Sequence, residues 1–525
     1  MGDLTIDAAV LGGGLAGLTL ALQLNREFPA LRILVVERRR HPLPDAAHKV
    51  GESTVEISAH YFDTTLGLRE HMDSAHIRKF GLRYFFSEGR DDIENVTELG
   101  VSRFLPAPSY QIDRGIFETF LGEEARRRGI DFRHGATVKG LDIGADGAAH
   151  VVRFHHDGAD HTVRARWLLD ASGRAALLRR RFDLTVDNGH HANAVWFRLG
   201  ARIDMDQWSD DAEWRGRCEA GRWRSTNHYL GPGYWAWLIP LGSGAHSVGI
   251  VTDAAMHPLE RMKDFERALG WLGTYQPAVA RAVAAERGTL LDFAFLRHYS
   301  HGCRRVFSAD RWALTGEAGV FLDPFYSPGS DFIAISNTYI AALVGHDLRG
   351  ADLAPYAHFY QQLYLSFYES TLSLFRGQYP LFGNASVLPV KVIWDYAYYW
   401  CVLCQLVFQQ RLTDLVLLGE WRPQLERARA LNEGMQQVVR FWHAADGGCS
   451  ERRLLDQCSL PWFAELNRGL HDTLDDVQLR ARLRANGAML EDLAATIAAR
   501  ASARGVPDAV AAHRRADTEV TLFAG

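Results

Sequence analysis

The stretch "TIDAAVLGGGLAGLTLALQLNREFPALRILVVE" occupies residues 5–37. Residues 5–11 read as a short buried strand, and a glycine turn follows at Gly12-Gly13-Gly14-Leu15-Ala16-Gly17. A helical pattern runs on to about Asn25, and "RILVVE" is a second β-branched strand that ends at Glu37. Strand, glycine turn, helix and strand within some 30 residues is the setting in which G-x-G-x-x-G binds a dinucleotide. Gly12, Gly14 and Gly17, with the small Ala16 between them, let the backbone approach a pyrophosphate at the helix N-terminus. Glu37 stands where an acidic side chain accepts hydrogen bonds from a ribose.

Working outward, 525 residues are too many for one compact core, so two or three packed units are expected. A hydrophobic content of 47% with 23% charged residues is that of an ordinary globular chain. The formal charge of −5 provides no basic footprint for nucleic acid. Six cysteines are sparse at this length and do not make a disulfide scaffold. Cys401 and Cys404 sit in the apolar "DYAYYWCVLCQLVF", which reads as core packing, and no metal site is expected. There is no basic leader at the start and no apolar run of about 18 residues, so no transmembrane segment and a cytoplasmic location are expected.

Segments 80–110 and 150–250 read mainly as strands, with "DRGIFETFLGEEARRRG" a helix between them. From about residue 330 the pattern turns helical and stays so. The expected architecture is α/β: a Rossmann-like dinucleotide domain interlocked with an antiparallel sheet, plus a C-terminal helical region. Within the sheet, "GPGYWAWLIP" (231–240) sets Trp235, Trp237 and Ile239 on one face of a strand that Pro240 ends. Ala236 and Leu238 take the other face. Each indole N–H needs a partner when buried, so two tryptophans side by side are a demanding choice for packing alone. "YQIDRGIFETFL" places Gln111 and Arg114 at a helix entrance, where Arg114 can meet a phosphate; "WLLDASGR" and "ALTGEAGVFLDPFYSPGS" are strand ends running into tight turns.

Taken together, GGGLAG (12–17), KVGEST (49–54), QIDR (111–114), DASG (170–173), the tryptophan strand and FLDPFYSPG (321–329) resemble the flavin-dependent halogenases. That family shares its flavin fold with single-component aromatic hydroxylases, and the resemblance covers roughly residues 5–345. It implies an FAD-binding core at 1–345, with FAD segments at about 1–80, 105–185 and 295–345. The substrate-side sheet then falls at about 80–105 and 185–295, and 346–525 is a mainly helical region. FAD contacts are implied for Gly12, Gly14, Ala16, Gly17, Glu37, Glu52, Ser53, Arg114, Glu317, Asp323 and Ser330. A halide site is implied at Ser327, Gly329 and Ser330. Trp235, Trp237, Ile239 and Pro240 are implied to separate the flavin from the substrate.

The implied reaction uses reduced FAD from a separate flavin reductase, dioxygen and chloride or bromide to form hypohalous acid. That acid halogenates an electron-rich arene, free or carrier-tethered, with a lysine orienting it or carrying it as a haloamine. The matching lysine lies in "HIRKFGLRYFF" and is Lys79, with Lys49 a second candidate. Arg83 stays charged and is a poor nucleophile. Two positions depart from the family pattern. Tyr326 stands where some tryptophan-type members carry a glutamate, and Pro328 removes a backbone N–H from the halide loop. Two alternatives stay open: an FAD-dependent aromatic monooxygenase or related flavin oxidoreductase of the same fold, and a non-catalytic flavin-binding partner in a pathway.

Overall fold

A computed structural model describes residues 4–44, 49–446, 448–506 and 521–523. The chain forms two compact units. The first comprises Met1–His76, Ile112–Gly189 and Ser300–Tyr368; the second comprises Ile77–Gln111, His190–Tyr299 and Glu369–Gly525.

The first unit is built on a seven-stranded sheet. Leu4–Leu11 lies between Ile33–Glu37 and Ala159–Asp170, parallel to both, as a βαβ crossover requires. Asp131–His134 extends the parallel part, Trp312–Leu314 pairs with the end of Ala159–Asp170, and His150–His156 and Thr137–Asp142 close it as an antiparallel meander. The crossover helix Leu15–Glu27 buries a continuous run from Leu18 to Leu24, because it is covered on nearly every side. One of its covers is the helix Gly329–Leu348. Asn337 of that helix donates to the Ala16 carbonyl, to Thr19 Oγ1 and to Tyr61 Oη, and so locks the two helices in register. At its far end Asp347 accepts from Arg166, Trp167 and Arg311. These ties fix the position of the loop that precedes Gly329.

The second unit is built on an eight-stranded sheet. Its strands run Leu290–Leu296, Ala192–Leu199, His246–Asp253, Tyr234–Pro240, Thr226–Gly231, Leu82–Phe85, Thr97–Gly100 and Arg453–Asp456 in spatial order. One face packs Ala236, Leu238, Val248, Ile250 and Phe197 on the helices Phe265–Tyr275 and Pro277–Ala285.

Several boundaries differ from the sequence reading. The sheet is mixed rather than antiparallel, since Thr226–Gly231 runs parallel to Leu82–Phe85, and Arg453–Asp456 parallel to Thr97–Gly100. Residues 346–525 are not a region apart: up to Tyr368 they cluster with the first unit, and from Glu369 with the second. The tail also contains the edge strand Arg453–Asp456, at four residues too short to show a strand period. The strands Asp131–His134 and Thr137–Asp142 were likewise unanticipated, being largely half-exposed and so without a clean alternation. Among the described residues no helix is long and apolar enough to cross a membrane.

Candidate cofactor site and tryptophan face

The glycine turn of the first unit has two kinds of glycine. A Cβ on Gly17 would lie 1.9 Å from the Gly12 carbonyl oxygen, and one on Gly12 (φ +112°) 2.3 Å from that of Ala171. These two are glycines because strand, turn and helix leave no room between them. Gly14 is different. The nearest atom to a Cβ there is Lys49 Nζ at 3.5 Å, an ordinary contact. Gly14 is also the N-cap of Leu15–Glu27 and supplies no side-chain cap, so the first-turn N–H groups face outward from a helix N-terminus. This is a cradle that a phosphate suits and a side chain would fill.

The charges around it fit the same group. Glu118, fully buried, accepts from Arg114 Nη2 at 2.5 Å and Nε at 3.0 Å, and from Lys49 Nζ. Arg114 also donates to the Val50 carbonyl at 2.8 Å. Two cations share one carboxylate beside Gly14. Burial works to raise the Glu118 pKa, but Arg114 and Lys49 outweigh it and hold the carboxyl below its usual value. Burial lowers the Lys49 pKa against the pull of Glu118. Glu118 was missed in the sequence, although its spacing of four from Arg114 on one helix was a signal.

Glu37 has a structural duty of its own. Its carboxylate accepts from the N–H groups of Gly13 and Arg39, each at 2.6 Å, and so braces the turn. Glu52 and Ser53 are buried, and the Glu52 carbonyl accepts from Ile112 N–H at 2.7 Å. Glu317 lies in the turn Gly316–Ala318, 4.0 Å from Arg174; burial raises its pKa against the charges of Arg174, Arg114, Lys49 and Arg179. Asp323 is fully buried and caps the turn Pro324–Tyr326 by accepting from Phe325 N–H at 3.0 Å. Ser327 then adopts the left-handed region (φ +59°), and Pro328 is the N-cap of Gly329–Leu348. Ser330 is buried in that first turn, and Gly329 has no atom within 4 Å of a would-be Cβ. Thus the glycine turn, Arg114, Glu317, Asp323 and Ser330 all belong to one unit.

The second unit holds the tryptophan face. Tyr234–Pro240 is an interior strand, paired on both sides and buried throughout. Trp235 donates its indole N–H to Tyr379 Oη at 3.0 Å, and Trp237 to Ser247 Oγ at 3.1 Å. A Cβ on Gly249 would fall 2.2 Å from the Trp237 ring, so that glycine makes the space the indole lies in. Both rings are therefore fixed in place. Ile239 and Pro240 continue the strand, and Pro240 remains paired with His246. Lys79 follows the short strand Ile77–Arg78; it is buried, and its own N–H donates to the Ser109 carbonyl at 2.8 Å. Arg83 is fully buried against Glu98, with Nη2 donating to the Val101 carbonyl, which makes it a structural cation.

Comparison with known proteins agrees with this geometry. An FAD-binding-domain family model matches residues 5–230. A flavin-dependent halogenase of Dictyostelium discoideum is 26% identical over 435 residues, covering 76% of this chain and 70% of that one. A 1H-pyrrole-2-carbonyl peptidyl-carrier-protein brominase of Pseudoalteromonas luteoviolacea is 25% identical, covering 66% of this chain and 79% of its own. Among solved structures, halogenase PltM with phloroglucinol and FAD superposes with a TM-score of 0.66 at 17% identity, over 95% of this chain and 99% of that chain. Fold and cradle define an FAD-binding flavoprotein. Within that class the curated relatives that the chain is similar to are flavin-dependent halogenases.

Proposed function

We propose that this protein is a halogenase that takes reduced FAD, dioxygen and halide and transfers the halogen to an electron-rich arene. The observation that carries this reading is the tryptophan face: two indoles, each with its N–H bonded, held immobile on an interior strand. In the flavin-dependent halogenases that this chain resembles such a strand separates flavin from substrate, and the Trp235, Trp237, Ile239 and Pro240 pattern is intact here. Gly14, Arg114 and Lys49 would hold the pyrophosphate of FAD and Glu37 the ribose, with Ala16 giving close passage and Glu52, Ser53, Glu317, Asp323 and Ser330 framing the rest. Bound reduced FAD supplies, with dioxygen, the two-electron oxidation of halide: FADH2 + O2 + X⁻ + H⁺ gives FAD, HOX and water.

The protein's own residues do the remainder. The N–H groups of Gly329 and Ser330, with the Ser327 hydroxyl, hold the halide at the start of a helix, where the dipole favours an anion. Lys79 orients hypohalous acid by hydrogen bonding or accepts halogen on its amine. The arene carbon forms the C–X bond, loses its proton, and water leaves. A separate reductase supplies FADH2. The substrate is an aromatic small molecule or a carrier-tethered acyl arene, the latter as in the pyrrolyl carrier-protein relative. The test is product formation from a panel of arenes, free and carrier-bound, with reductase, FAD, NADH and either halide. Halogenated product that requires bromide or chloride supports the reading. Hydroxylated product without halide, or FADH2 oxidation with no arene product, refutes it.

A further inference from the structure

Four arginines are buried among the described residues: Arg83, Arg179, Arg198 and Arg222. Three of them are neutralised in place. Arg83 and Arg222 share Glu98, and Arg198 meets Asp292 at 2.5 Å. The buried Lys391 is likewise paired with Asp395, one turn on in the helix Leu388–Tyr399. Arg179, in the short helix Leu177–Arg181, is the exception. It is only 7% exposed, and among the described residues no carboxylate lies within ion-pairing distance of it. Its one hydrogen bond there runs from Nη1 to the Gly319 carbonyl at a long 3.4 Å, and its Nε is buried without a partner. A buried charge left unpaired is costly, and arginine cannot shed its proton to escape the penalty.

The acidic groups around Arg179 are committed elsewhere. Asp170 accepts from the N–H groups of Ser172 at 2.9 Å and Leu178 at 2.7 Å, one on each carboxylate oxygen. Glu317 faces Arg174, at 4.0 Å. The rim is basic instead. Arg180 donates from Nη2 to the Arg174 carbonyl at 3.0 Å, which draws these two exposed arginines together beside Arg179. Leu184 N–H donates to the Arg179 carbonyl at 2.9 Å, and Arg304 N–H to the Leu184 carbonyl at 2.8 Å, so the exposed Arg304 and Arg305 lie on the neighbouring segment. Residues 172–187 hold four arginines against Asp183 and Asp187, and residues 301–306 add Arg304 and Arg305 with no acidic residue. Such a rim draws anions toward the one cation that has no partner.

We propose that Arg179 binds a halide ion, at a site apart from the loop that carries Ser327, Gly329 and Ser330. The inference rests on the halogenase reading, which makes halide a substrate that this protein must draw from solvent. Nε and Nη2 project from one edge of the guanidinium, and two such N–H groups close on one anion. Among the described residues Nη2 donates to no protein group, so both donors are available. A monatomic anion asks for the least room, which suits a side chain that is only 7% exposed. An oxyanion carried on a larger molecule would have to displace the chain that covers it. Gly319, whose carbonyl takes Nη1, belongs to the segment that runs through Asp323 to Ser327 and Gly329. Pro328 leaves that loop one N–H short, and a halide collected beside the same segment raises the local supply.

The test uses the full-length protein as wild type, Arg179→Gln and Arg179→Lys. Melting temperatures of flavin-free protein are read in sodium bromide, chloride, phosphate and gluconate at equal ionic strength, and FAD affinity is measured beside them. Bromide and chloride should raise the wild-type melting temperature over gluconate in a saturable way. Arg179→Gln should lose most of that rise, and Arg179→Lys, which keeps the charge without the fork, part of it. In turnover, the bromide concentration for half-maximal rate should rise by about tenfold or more in Arg179→Gln, as expected for loss of a hydrogen bond to a charged group. An equal halide response in wild type and Arg179→Gln overturns the proposal. So does a larger rise in phosphate than in bromide, which marks an oxyanion site, or a loss of FAD affinity in Arg179→Gln, which assigns the arginine to the flavin. Bromine anomalous scattering from wild-type crystals soaked in bromide needs no variant, and an absent peak at the Arg179 guanidinium also overturns it. Halide bound through Arg179 by a protein that makes no halogenated arene refutes the halogenase reading and leaves the site standing.

Discussion

Substituting Gly14 by valine separates the cofactor-binding role of the glycine turn from its structural role. The backbone at Gly14 is extended (φ −85°, ψ −170°), which valine adopts freely, and a Cβ there has no protein atom closer than 3.5 Å. Valine is a poorer N-cap than glycine, which costs the flavin-free protein about 0.5–1 kcal/mol. The γ-methyl groups, however, project over the first-turn N–H groups. Displacing a diphosphate from two such donors loses about 3–6 kcal/mol, since a hydrogen bond to a charged group contributes about 1.5–3. FAD affinity should fall by about two to four decades. Gly17→Ala is the control with the opposite signature. Its Cβ would lie 1.9 Å from the Gly12 carbonyl oxygen, so helix and strand must part, at a cost of about 3 kcal/mol or more. Thermal melts of flavin-free protein and FAD titrations by fluorescence quenching give both numbers for each variant. The reasoning is refuted if Gly14→Val melts as low as Gly17→Ala while binding FAD like the wild type.

Lys79→Ala should abolish halogenation while leaving FADH2 oxidation by dioxygen near the wild-type rate, because the lysine acts after hypohalous acid forms; stopped-flow absorbance and product analysis check the two separately. Pro328 deprives the halide loop of one donor, so bromide, which is less strongly hydrated than chloride, should be the better substrate. Pro328→Thr, at a φ of −75° that threonine accepts, should raise chloride use by about one to two decades; product yield against halide concentration for both proteins tests this. His76 and His246 are buried and held neutral, with pKa values lowered to about 3. A histidine whose folded pKa lies below its unfolded value binds less proton when folded. Its contribution is therefore complete above about pH 6.5 and is lost as pH falls toward 3, by about 1.4 kcal/mol per pH unit for each. Urea midpoints across that range should fall accordingly, and His246→Gln should flatten part of the slope.

What the sequence made legible follows from how local each signal is. The glycine turn was readable because its geometry is dictated within 33 residues: Gly12 and Gly17 touch one another, and Glu37 returns to brace Gly13. The tryptophan strand was readable as a face, because a period of two survives any tertiary setting. Its partners were not. Tyr379 lies 144 positions from Trp235, and nothing in either neighbourhood announces that they meet. The same limit hid Glu118, whose importance comes from Lys49, 69 positions away, and it hid the burial of Arg83 against Glu98 and the Val101 carbonyl. Buried charge is decided by long-range neighbours, so a sequence can nominate a cation without revealing whether it is free to act. Lys79 and Lys391 show the consequence. Lys79 was nominated through a motif, and Lys391 stood unnoticed in an apolar helix because an i, i+4 Lys–Asp spacing is ordinary on a surface and unusual only when it is completely buried.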